Sequence, residues 1–285
     1  MNYKKPEALV TTEWLSKNIE TPDVSIIDAS FYLPTANRIP KKEFVEQHIP
    51  GATFFDINEI ANKNTNLPHM LPNENEFSNK VGNLGISSHH HVICYDTNGG
   101  AMAAMRAWWT FRVFGHDRVS VLSGGLPKWC NENLPLSSGH PNIRKQAFVS
   151  KFKQKLVKNI DEIQENVKDQ HFQIVDARSE GRYNGTEAEP RAGLRQGHIP
   201  GAISLPFQKL LDPKKFMIMR DADDIASIIW EANINLNKPL VSSCGSGVTA
   251  APLVLALYLL GYTEAAIYDG SWTEWAGRQD TSIQT

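Results

Sequence analysis

The sequence contains few cysteines, and this already removes several kinds of site. It holds three in 285 residues, at Cys94, Cys130 and Cys244. They are too few and too scattered for a disulfide framework, and their spacing matches no zinc-binding motif. We therefore expect a reducing, cytoplasmic environment, in which a cysteine thiol stays available for chemistry.

The sequence also lacks a large net charge and long apolar runs. The formal charge of −2 at pH 7, from 29 basic and 31 acidic residues, gives no reason to expect nucleic acid or a membrane surface as a partner. The longest apolar run, around residues 250–260, is too short to span a bilayer. The chain opens on polar residues, so no secretory signal is predicted.

What the sequence does contain is an internal repeat. The segment His-Ile-Pro-Gly-Ala occurs at residues 48–52 and again, letter for letter, at 198–202. An apolar run that ends in Asp-Ala occurs at residues 24–29 and again at 172–177. Between the copies, residues 136–155 are rich in Ser, Gly, Pro and Lys and lack apolar periodicity. The sequence therefore predicts a tandem duplication whose copies are joined by a linker.

Each copy alternates short apolar runs with helical patterns, which is typical of a parallel sheet covered by helices. We predict two tandem α/β domains, each a mostly parallel sheet with helices on both faces. The predicted N-terminal domain covers residues 1–136, the linker 137–155 and the C-terminal domain 156–285. Ligands of such sheets bind beyond the carboxyl ends of the strands. Cys244 directly follows a predicted strand and therefore lies at such an end.

The duplication separates scaffold from chemistry, because Asp96 stands in the first copy where Cys244 stands in the second. Features that both copies share are more simply explained as structure. We therefore predict that His48 and His198 bond to backbone groups, although histidine is a common catalytic base. Cys94 and Cys130 are predicted to be packing thiols. The first domain is accordingly predicted to be a non-catalytic copy.

Cys244 opens the loop Cys-Gly-Ser-Gly-Val-Thr at residues 244–249, which lies between a predicted strand and a predicted helix. The backbone N–H groups of such a loop and the positive end of the helix dipole favour a thiolate near neutral pH. The residues around the cysteine are small and leave room for a substrate. We therefore predict that Cys244 is a nucleophile.

Several thiolate chemistries can be compared. A phosphatase loop needs an arginine six residues after the cysteine, where Ala250 stands, and a thioredoxin-like site needs a cysteine at Gly247. A protease needs a histidine base, and His69 is available but no local motif supports proteolysis. Sulfur transfer needs one thiolate and donors that stabilise a persulfide anion. The loop N–H groups and the hydroxyls of Ser246 and Thr249 would provide those donors.

The second copy also contains a Gly- and Pro-interrupted segment, residues 178–191, without a counterpart in the first. It carries Arg182 and Arg191. Paired guanidinium groups bind a carboxylate or another oxyanion through planar, two-pronged donors. The alternative is ordinary ion pairing with the three glutamates of the same segment, Glu180, Glu187 and Glu189.

These motifs together resemble the two-domain rhodanese-type sulfurtransferases, and the resemblance covers nearly the whole chain. It rests on the tandem halves, the two His-Ile-Pro-Gly-Ala segments, Asp-Ala-Arg at 176–178, Tyr-Asp-Gly-Ser-Trp at 268–272 and the cysteine loop. Within the family, the loop is similar to that of the members that use 3-mercaptopyruvate. Members that prefer thiosulfate usually carry basic residues after the cysteine, and residues 245–249 carry none.

The resemblance implies roles for individual residues. Arg182 and Arg191 would hold the carboxylate and keto group of 3-mercaptopyruvate, and Ser246 and His69 would relay a proton. The rest of the substrate-binding loop would be formed by Gly245, Gly247, Val248 and Thr249. The family's relay also uses an acid, at a position where this sequence has Asn58. We expect Asn58 to orient His69, or Asp56 or Glu59 to compensate for the missing acid.

The resemblance also implies a reaction. The Cys244 thiolate would take the sulfur of 3-mercaptopyruvate, pyruvate would leave, and a reduced thioredoxin, a small thiol or cyanide would accept the sulfur from the persulfide. This chemistry implies no metal and no organic cofactor. Two alternatives stay open at this point: a thiosulfate:cyanide sulfurtransferase, and a non-catalytic binding module with the same fold.

Overall fold

The structure, a computed structural model, describes residues 2–33, 36–99 and 102–285. It contains two sheets of five strands each, one in each half of the chain. All strand pairs in both sheets are parallel. This confirms the predicted fold class of two tandem α/β domains.

The first sheet has the strand order β1-β5-β4-β2-β3. Its strands are β1 (Leu9–Val10), β2 (Val24–Asp28), β3 (Ala52–Phe54), β4 (His91–Tyr95) and β5 (Val119–Leu122). The helices of this half are α1 (Thr12–Asn18), α2 (Pro40–Glu46), α3 (Ile57–Ile60), α4 (Glu74–Asn83), α5 (Ala103–Val113) and α6 (Gly125–Asn131), and a 3-10 turn covers Pro6–Ala8.

The second sheet repeats this topology in the order β6-β12-β11-β7-β8. Its strands are β6 (Val157–Lys158), β7 (Gln173–Asp176), β8 (Ile203–Ser204), β11 (Leu240–Ser243) and β12 (Ala266–Tyr268). A separate antiparallel hairpin is formed by β9 (Leu211–Asp212) and β10 (Ile218–Met219). The helices are α7 (Ile160–Asp169), α8 (Glu180–Tyr183), α9 (Ala222–Glu231), α10 (Ala251–Leu259) and α11 (Ser271–Gly277), with 3-10 turns at Gln154–Leu156 and Phe207–Leu210.

Local sequence signals explain several element boundaries. α4 and α7 each begin with a capping box, in which Asn73 or Asn159 accepts the N–H of a glutamate three residues later and that glutamate bonds back. Helix α2 begins at a proline, whose missing N–H costs nothing at the first helical position. No helix within the described residues is long and apolar enough to cross a bilayer.

The apolar side chains divide between the two faces of each sheet. In the first half, Ile26 and Ile93 pack in one core cluster, whereas their chain neighbours Ile27 and Cys94 pack in another. This alternation follows from the two-residue period of a strand. The second of these clusters is continuous with the core of the other half, and α5 packs against α10 there. Both sheets therefore share one interior.

Residues 138–153 form no helix or strand, and they run along the first half through backbone bonds such as Lys151 N–H to the carbonyl of Phe114. This course agrees with a connecting segment. The domain limits at 136 and 156 stay a prediction.

Candidate active site

Cys244 directly follows β11, at the carboxyl end of the second sheet, and is 1% exposed. Its backbone is fixed at both polar atoms. The N–H donates to the Ser271 hydroxyl over 3.2 Å, and the carbonyl accepts the N–H of Trp272 over 2.9 Å. Residues 244–250 then lead into α10, which begins at Ala251. The predicted strand, loop and helix are confirmed.

Ser271 adopts a left-handed backbone with φ of +50°, and its internal counterpart Gly125 has φ of +52°. Glycine adopts this conformation freely, whereas another residue pays about 1–2 kcal/mol for it. The repeat thus keeps the same backbone but places a strained serine only in the copy that holds Cys244. The serine hydroxyl accepts the Cys244 N–H and donates to the carbonyl of Tyr268 over 2.7 Å. The strain therefore coincides with a contact that anchors the nucleophile.

A cavity of about 100 Å³ opens at Cys244, and both halves of the chain form its wall. Seven of the residues predicted for the site lie on this wall, whereas Gly247 and His69 do not. The first half adds three side chains that the sequence analysis did not single out. The wall consists of Phe31, Leu33, Met102, Arg182, Pro190, Arg191, Cys244, Gly245, Ser246, Val248 and Thr249.

Arg182 fits both of the alternatives that the sequence left open. Its guanidinium lies on the cavity wall, and it also forms an ion pair with Glu189 at 2.5 Å. The Glu189 side chain is 3% exposed and also pairs with Arg178 at 2.7 Å. The positive charge of Arg182 is therefore partly neutralised within the protein.

Arg191 differs from Arg182 because no protein group within the described residues forms a hydrogen bond or ion pair with its guanidinium. It is half-buried on the wall. Burial lowers the pKa of Arg191, and the nearby Cys244 partly opposes this effect. The cavity thus holds a cation that no described protein group pairs with, and such a cation suits an anionic ligand.

The two glycines of the loop make room for two arginines. A Cβ at Gly245 would lie 2.8 Å from Nη2 of Arg182, and a Cβ at Gly247 would lie 2.8 Å from Nη1 of Arg106. Gly247 also has φ of +76°. Any other residue at either position would displace a guanidinium from the loop.

His69 reaches the site through Ser246. Its Nδ1 lies 3.1 Å from the Ser246 hydroxyl, and its ring packs edge-on against Phe31 with a centroid distance of 4.8 Å. Burial, with help from the charges of Arg106 and Arg191, lowers the pKa of His69 to about 3. The imidazole is therefore neutral at physiological pH.

The prediction that Asn58 orients His69 is wrong. Asn58 is exposed at the start of α3, and its backbone N–H bonds to the Asp56 carboxylate over 3.0 Å. Asp56 caps α3 and Glu59 pairs with Lys63, so neither of these acids compensates. Within the described residues, no acid forms a hydrogen bond or ion pair with the His69 ring. The segment folds as a short capped helix, and its carboxylates serve that helix.

Comparison with known proteins identifies the fold. The sequence profile of the rhodanese-like domain matches residues 11–132 and again residues 159–278. The chain belongs to the rhodanese family. This confirms the resemblance on which the residue assignments were based.

Relatives named for two different sulfur donors, 3-mercaptopyruvate and thiosulfate, are about equally similar in sequence to this chain. The chain is 42% identical to mouse 3-mercaptopyruvate sulfurtransferase over 94% of its length and 91% of the relative's. It is 41% identical to rat thiosulfate sulfurtransferase over 95% of its length and 92% of the relative's. The crystal structure of the 3-mercaptopyruvate sulfotransferase SseA from Escherichia coli has a TM-score of 0.85 and 35% identity, covering 93% of this chain and 98% of that one. Overall identity therefore does not choose between the two donors.

The remaining predictions for this rhodanese chain concern its other histidines and cysteines. Nδ1 of His48 lies 2.7 Å from the carbonyl of Phe44, and Nδ1 of His198 lies 2.8 Å from that of Tyr183, which confirms backbone bonding. Cys94 is fully buried, and burial raises its pKa well above the ordinary value. The described residues hold no group of three or more His, Cys, Asp or Glu side chains placed for a metal ion.

Phe31, Leu33 and Met102 are the residues of the first half on the cavity wall that the sequence analysis missed. Phe31 follows the Asp-Ala pair at the end of β2, and Met102 precedes α5. Both segments begin at the carboxyl ends of strands in the first sheet, where a ligand site is expected. That position is a usable signal, but this copy has no nucleophile that would mark the residues around it as a site.

Proposed function

We propose that this protein is a 3-mercaptopyruvate sulfurtransferase. The observation that carries the proposal is Arg191, a cation that no described protein group pairs with, on the wall of the Cys244 cavity beside residues 245–249, which carry no charged side chain. An α-keto acid carboxylate would pair with this guanidinium. Arg182, which still has donors beyond those used by Glu189, would take the keto oxygen.

The reaction follows from this placement. The Cys244 thiolate attacks the sulfur of 3-mercaptopyruvate, a sulfur–sulfur bond forms, and the carbon–sulfur bond breaks with its electron pair leaving on the pyruvate enolate. Protonation of the enolate carbon gives pyruvate, and Cys244 remains as a persulfide. Holding the donor at two arginines fixes the attack geometry, which lowers the entropic part of the barrier.

Ser246 and His69 supply the proton path in this proposal. The Ser246 hydroxyl lies on the cavity wall and next to Nδ1 of His69. Because His69 is neutral and lacks an acid partner among the described residues, it is a weak base in the free protein. A bound carboxylate offsets the charge of Arg191, one of the causes of the low pKa of His69, and so makes the imidazole more basic when the donor is present.

The second half-reaction passes the outer sulfur to an acceptor. A reduced thioredoxin, a small thiol or cyanide can attack the persulfide, and Cys244 leaves as a thiolate. No step requires a metal or an organic cofactor. We place the reaction in the cytoplasm, where acceptor thiols are reduced. One relative, 40% identical over 98% of this chain, is named as mitochondrial in Arabidopsis thaliana, so cell fractionation with an antibody to the protein is the test.

A comparison of sulfur donors tests the function. Purified protein is assayed with 3-mercaptopyruvate and with thiosulfate, using cyanide as the common acceptor, and kcat/KM is compared. We expect 3-mercaptopyruvate to be the better donor. A strong preference for thiosulfate, the activity named for the rat relative, would refute this choice.

Mass spectrometry separates both enzymes from a non-catalytic module. After treatment with 3-mercaptopyruvate, we expect a gain of one sulfur atom on the peptide that contains Cys244, and no gain in Cys244→Ser. Cys94→Ser is the matched control and should keep the adduct. No adduct in the wild-type protein with either donor would favour the module.

A further inference from the structure

Arg106 is a charged residue in the middle of the apolar helix α5, and it is 1% exposed. A buried charge is costly unless it is paired and hydrogen-bonded. Its side chain lies outside the wall of the Cys244 cavity, and the repeat offers no scaffold role. Arg106 stands nine residues before Gly115, and nine residues before the corresponding Gly261 stands Pro252. The fold of a half therefore does not require an arginine here.

Three acceptors satisfy the guanidinium of Arg106. Nη2 donates to Asp269 Oδ1 over 2.6 Å and to the carbonyl of His69 over 2.7 Å. Nη1 donates to the carbonyl of Gly247 over 3.1 Å. The guanidinium also lies 4.4 Å from the ring centroid of Trp109.

These acceptors come from three different segments. His69 belongs to the first half, whereas Gly247 belongs to the nucleophile loop and Asp269 follows β12 in the second half. The other Asp269 oxygen accepts the N–H of Leu71 over 2.8 Å. Arg106 and Asp269 together thus hold the backbone on both sides of Met70 and join it to the loop that carries Cys244.

The geometry at both carbonyls shows how tightly this arrangement is defined. His69 has φ of +62°, a conformation that a non-glycine residue adopts only when its surroundings hold it. Gly247 must be glycine for the guanidinium to come so close. The contact between His69 Nδ1 and the hydroxyl of Ser246, one residue before Gly247, joins the same two segments whose carbonyls Arg106 binds.

We propose that Arg106 is a positioning residue of the active site, which fixes His69 against Ser246 across the interface between the two halves. It contacts neither donor nor acceptor and acts through the two carbonyls and Asp269. The catalytic consequence rests on the proposed function, because the contact that Arg106 fixes belongs to the proton path. The structural consequence, a fixed His69, does not depend on it.

Arg106→Lys and Arg106→Met test this role. A lysine keeps the charge but cannot span the three acceptors with a planar fork. We expect kcat with 3-mercaptopyruvate to fall about 10- to 100-fold in both variants, as for a misplaced catalytic group. KM should change little, because Arg182 and Arg191 remain. Heteronuclear NMR of the imidazole should show a shifted His69 resonance and a titration midpoint that moves up in Arg106→Met.

Arg112 provides the matched control. It lies on the same helix, is 5% exposed, and also bridges the halves, since its Nη2 donates to the carbonyl of Thr263 over 3.1 Å. It packs against Trp108 and Tyr258, neither of which lies on the cavity wall. Arg112→Lys should therefore keep the wild-type kcat and the His69 resonance, even where it lowers stability.

The outcomes separate the alternatives. If Arg112→Lys loses as much kcat as Arg106→Lys, Arg106 only docks the halves and the proposal fails. Its catalytic consequence also fails if Arg106→Lys keeps the wild-type kcat. If Arg106→Met does not fold, Arg106→Lys carries the test. If the wild-type protein transfers no sulfur, the proposed function fails, whereas an unchanged His69 resonance in Arg106→Lys would refute the positioning role.

Discussion

Replacing Arg191 with methionine separates substrate binding from structural support. The guanidinium of Arg191 lies on the cavity wall, without a hydrogen bond or ion pair to any described protein group. A hydrogen bond to a charged group is worth about 1.5–3 kcal/mol, and a two-pronged carboxylate contact provides two of them. We expect Arg191→Met to lose about 3–4 kcal/mol of transition-state binding, which lowers kcat/KM for 3-mercaptopyruvate roughly 10²–10³-fold. Most of this loss should appear in KM.

Arg182→Met is the control, because its effects on kcat/KM and on the free energy of unfolding should differ from those of Arg191→Met. Removing Arg182 leaves the buried Glu189 with Arg178 as its remaining ion-pair partner, and we expect it to destabilise the fold by about 1–3 kcal/mol. Removing Arg191 breaks no ion pair within the described residues and removes a half-buried charge, so the free energy of unfolding should stay constant or rise.

Initial rates of pyruvate formation measure kcat/KM, and urea unfolding measures the free energy of unfolding. Arg191→Lys, which keeps a charge but loses the planar fork, should recover part of the kcat/KM. Two results would contradict the reasoning: a kcat/KM for Arg191→Met within threefold of wild type, or a loss of stability equal to that of Arg182→Met. The second would show that Arg191 supports the fold and that its open guanidinium is incidental.

Two further predictions concern buried titrating groups. The pKa of His69 is lowered to about 3 in the folded protein, against about 6.5 in the unfolded chain. The free energy of unfolding should therefore fall by about 2 kcal/mol between pH 7 and pH 5, as the unfolded state takes up a proton. Urea unfolding of His69→Gln should lack this loss, and a loss equal to that of the wild type would contradict the prediction. Burial raises the pKa of Asp28 from 3.8 to about 6, so its charge costs about 3 kcal/mol at pH 7, and this cost vanishes as pH falls below the unfolded value. Asp28→Asn should therefore stabilise the protein by about 2 kcal/mol at pH 7 after the loss of one hydrogen bond. Asp176→Asn is the control and should destabilise the protein, since Asp176 pairs with the buried Arg178 at 2.6 Å. A change in unfolding free energy of the same sign in both variants would contradict this prediction.

Elements with strong local signals were predictable from the sequence. The strand predicted before Cys244 is observed as β11, Leu240–Ser243, and the helix predicted after its loop as α10, Ala251–Leu259. The hairpin of β9 and β10 was missed, because strands of two residues show no periodicity.

The residues of the candidate site differ in how far the sequence could predict them. Cys244, Arg182 and Arg191 were predictable because their chemistry is visible in residue type, and the duplication marked them as features of one copy. Arg106 was not predictable, because it lies within α5, whose mostly apolar sequence is typical of a core helix. Its acceptors lie 37, 141 and 163 residues away in the chain, and no spacing rule connects them. Polar networks that span two domains are set by packing, which a single sequence does not display.

The first half explains why two similar sheets make one site. In its loop after β4, which corresponds to the nucleophile loop, Gly99 lies against the tip of the β9–β10 hairpin. A Cβ at Gly99 would lie 1.9 Å from the carbonyl oxygen of Phe216, and both Phe216 and Met217 have left-handed backbones there. The hairpin thus occupies space beyond the carboxyl end of the first sheet, where a ligand would otherwise bind. This half has Asp96 where the second half has Cys244, and it contributes Phe31 to the cavity wall and His69 to the contact with Ser246, so the duplication supplies the second side of a single cleft.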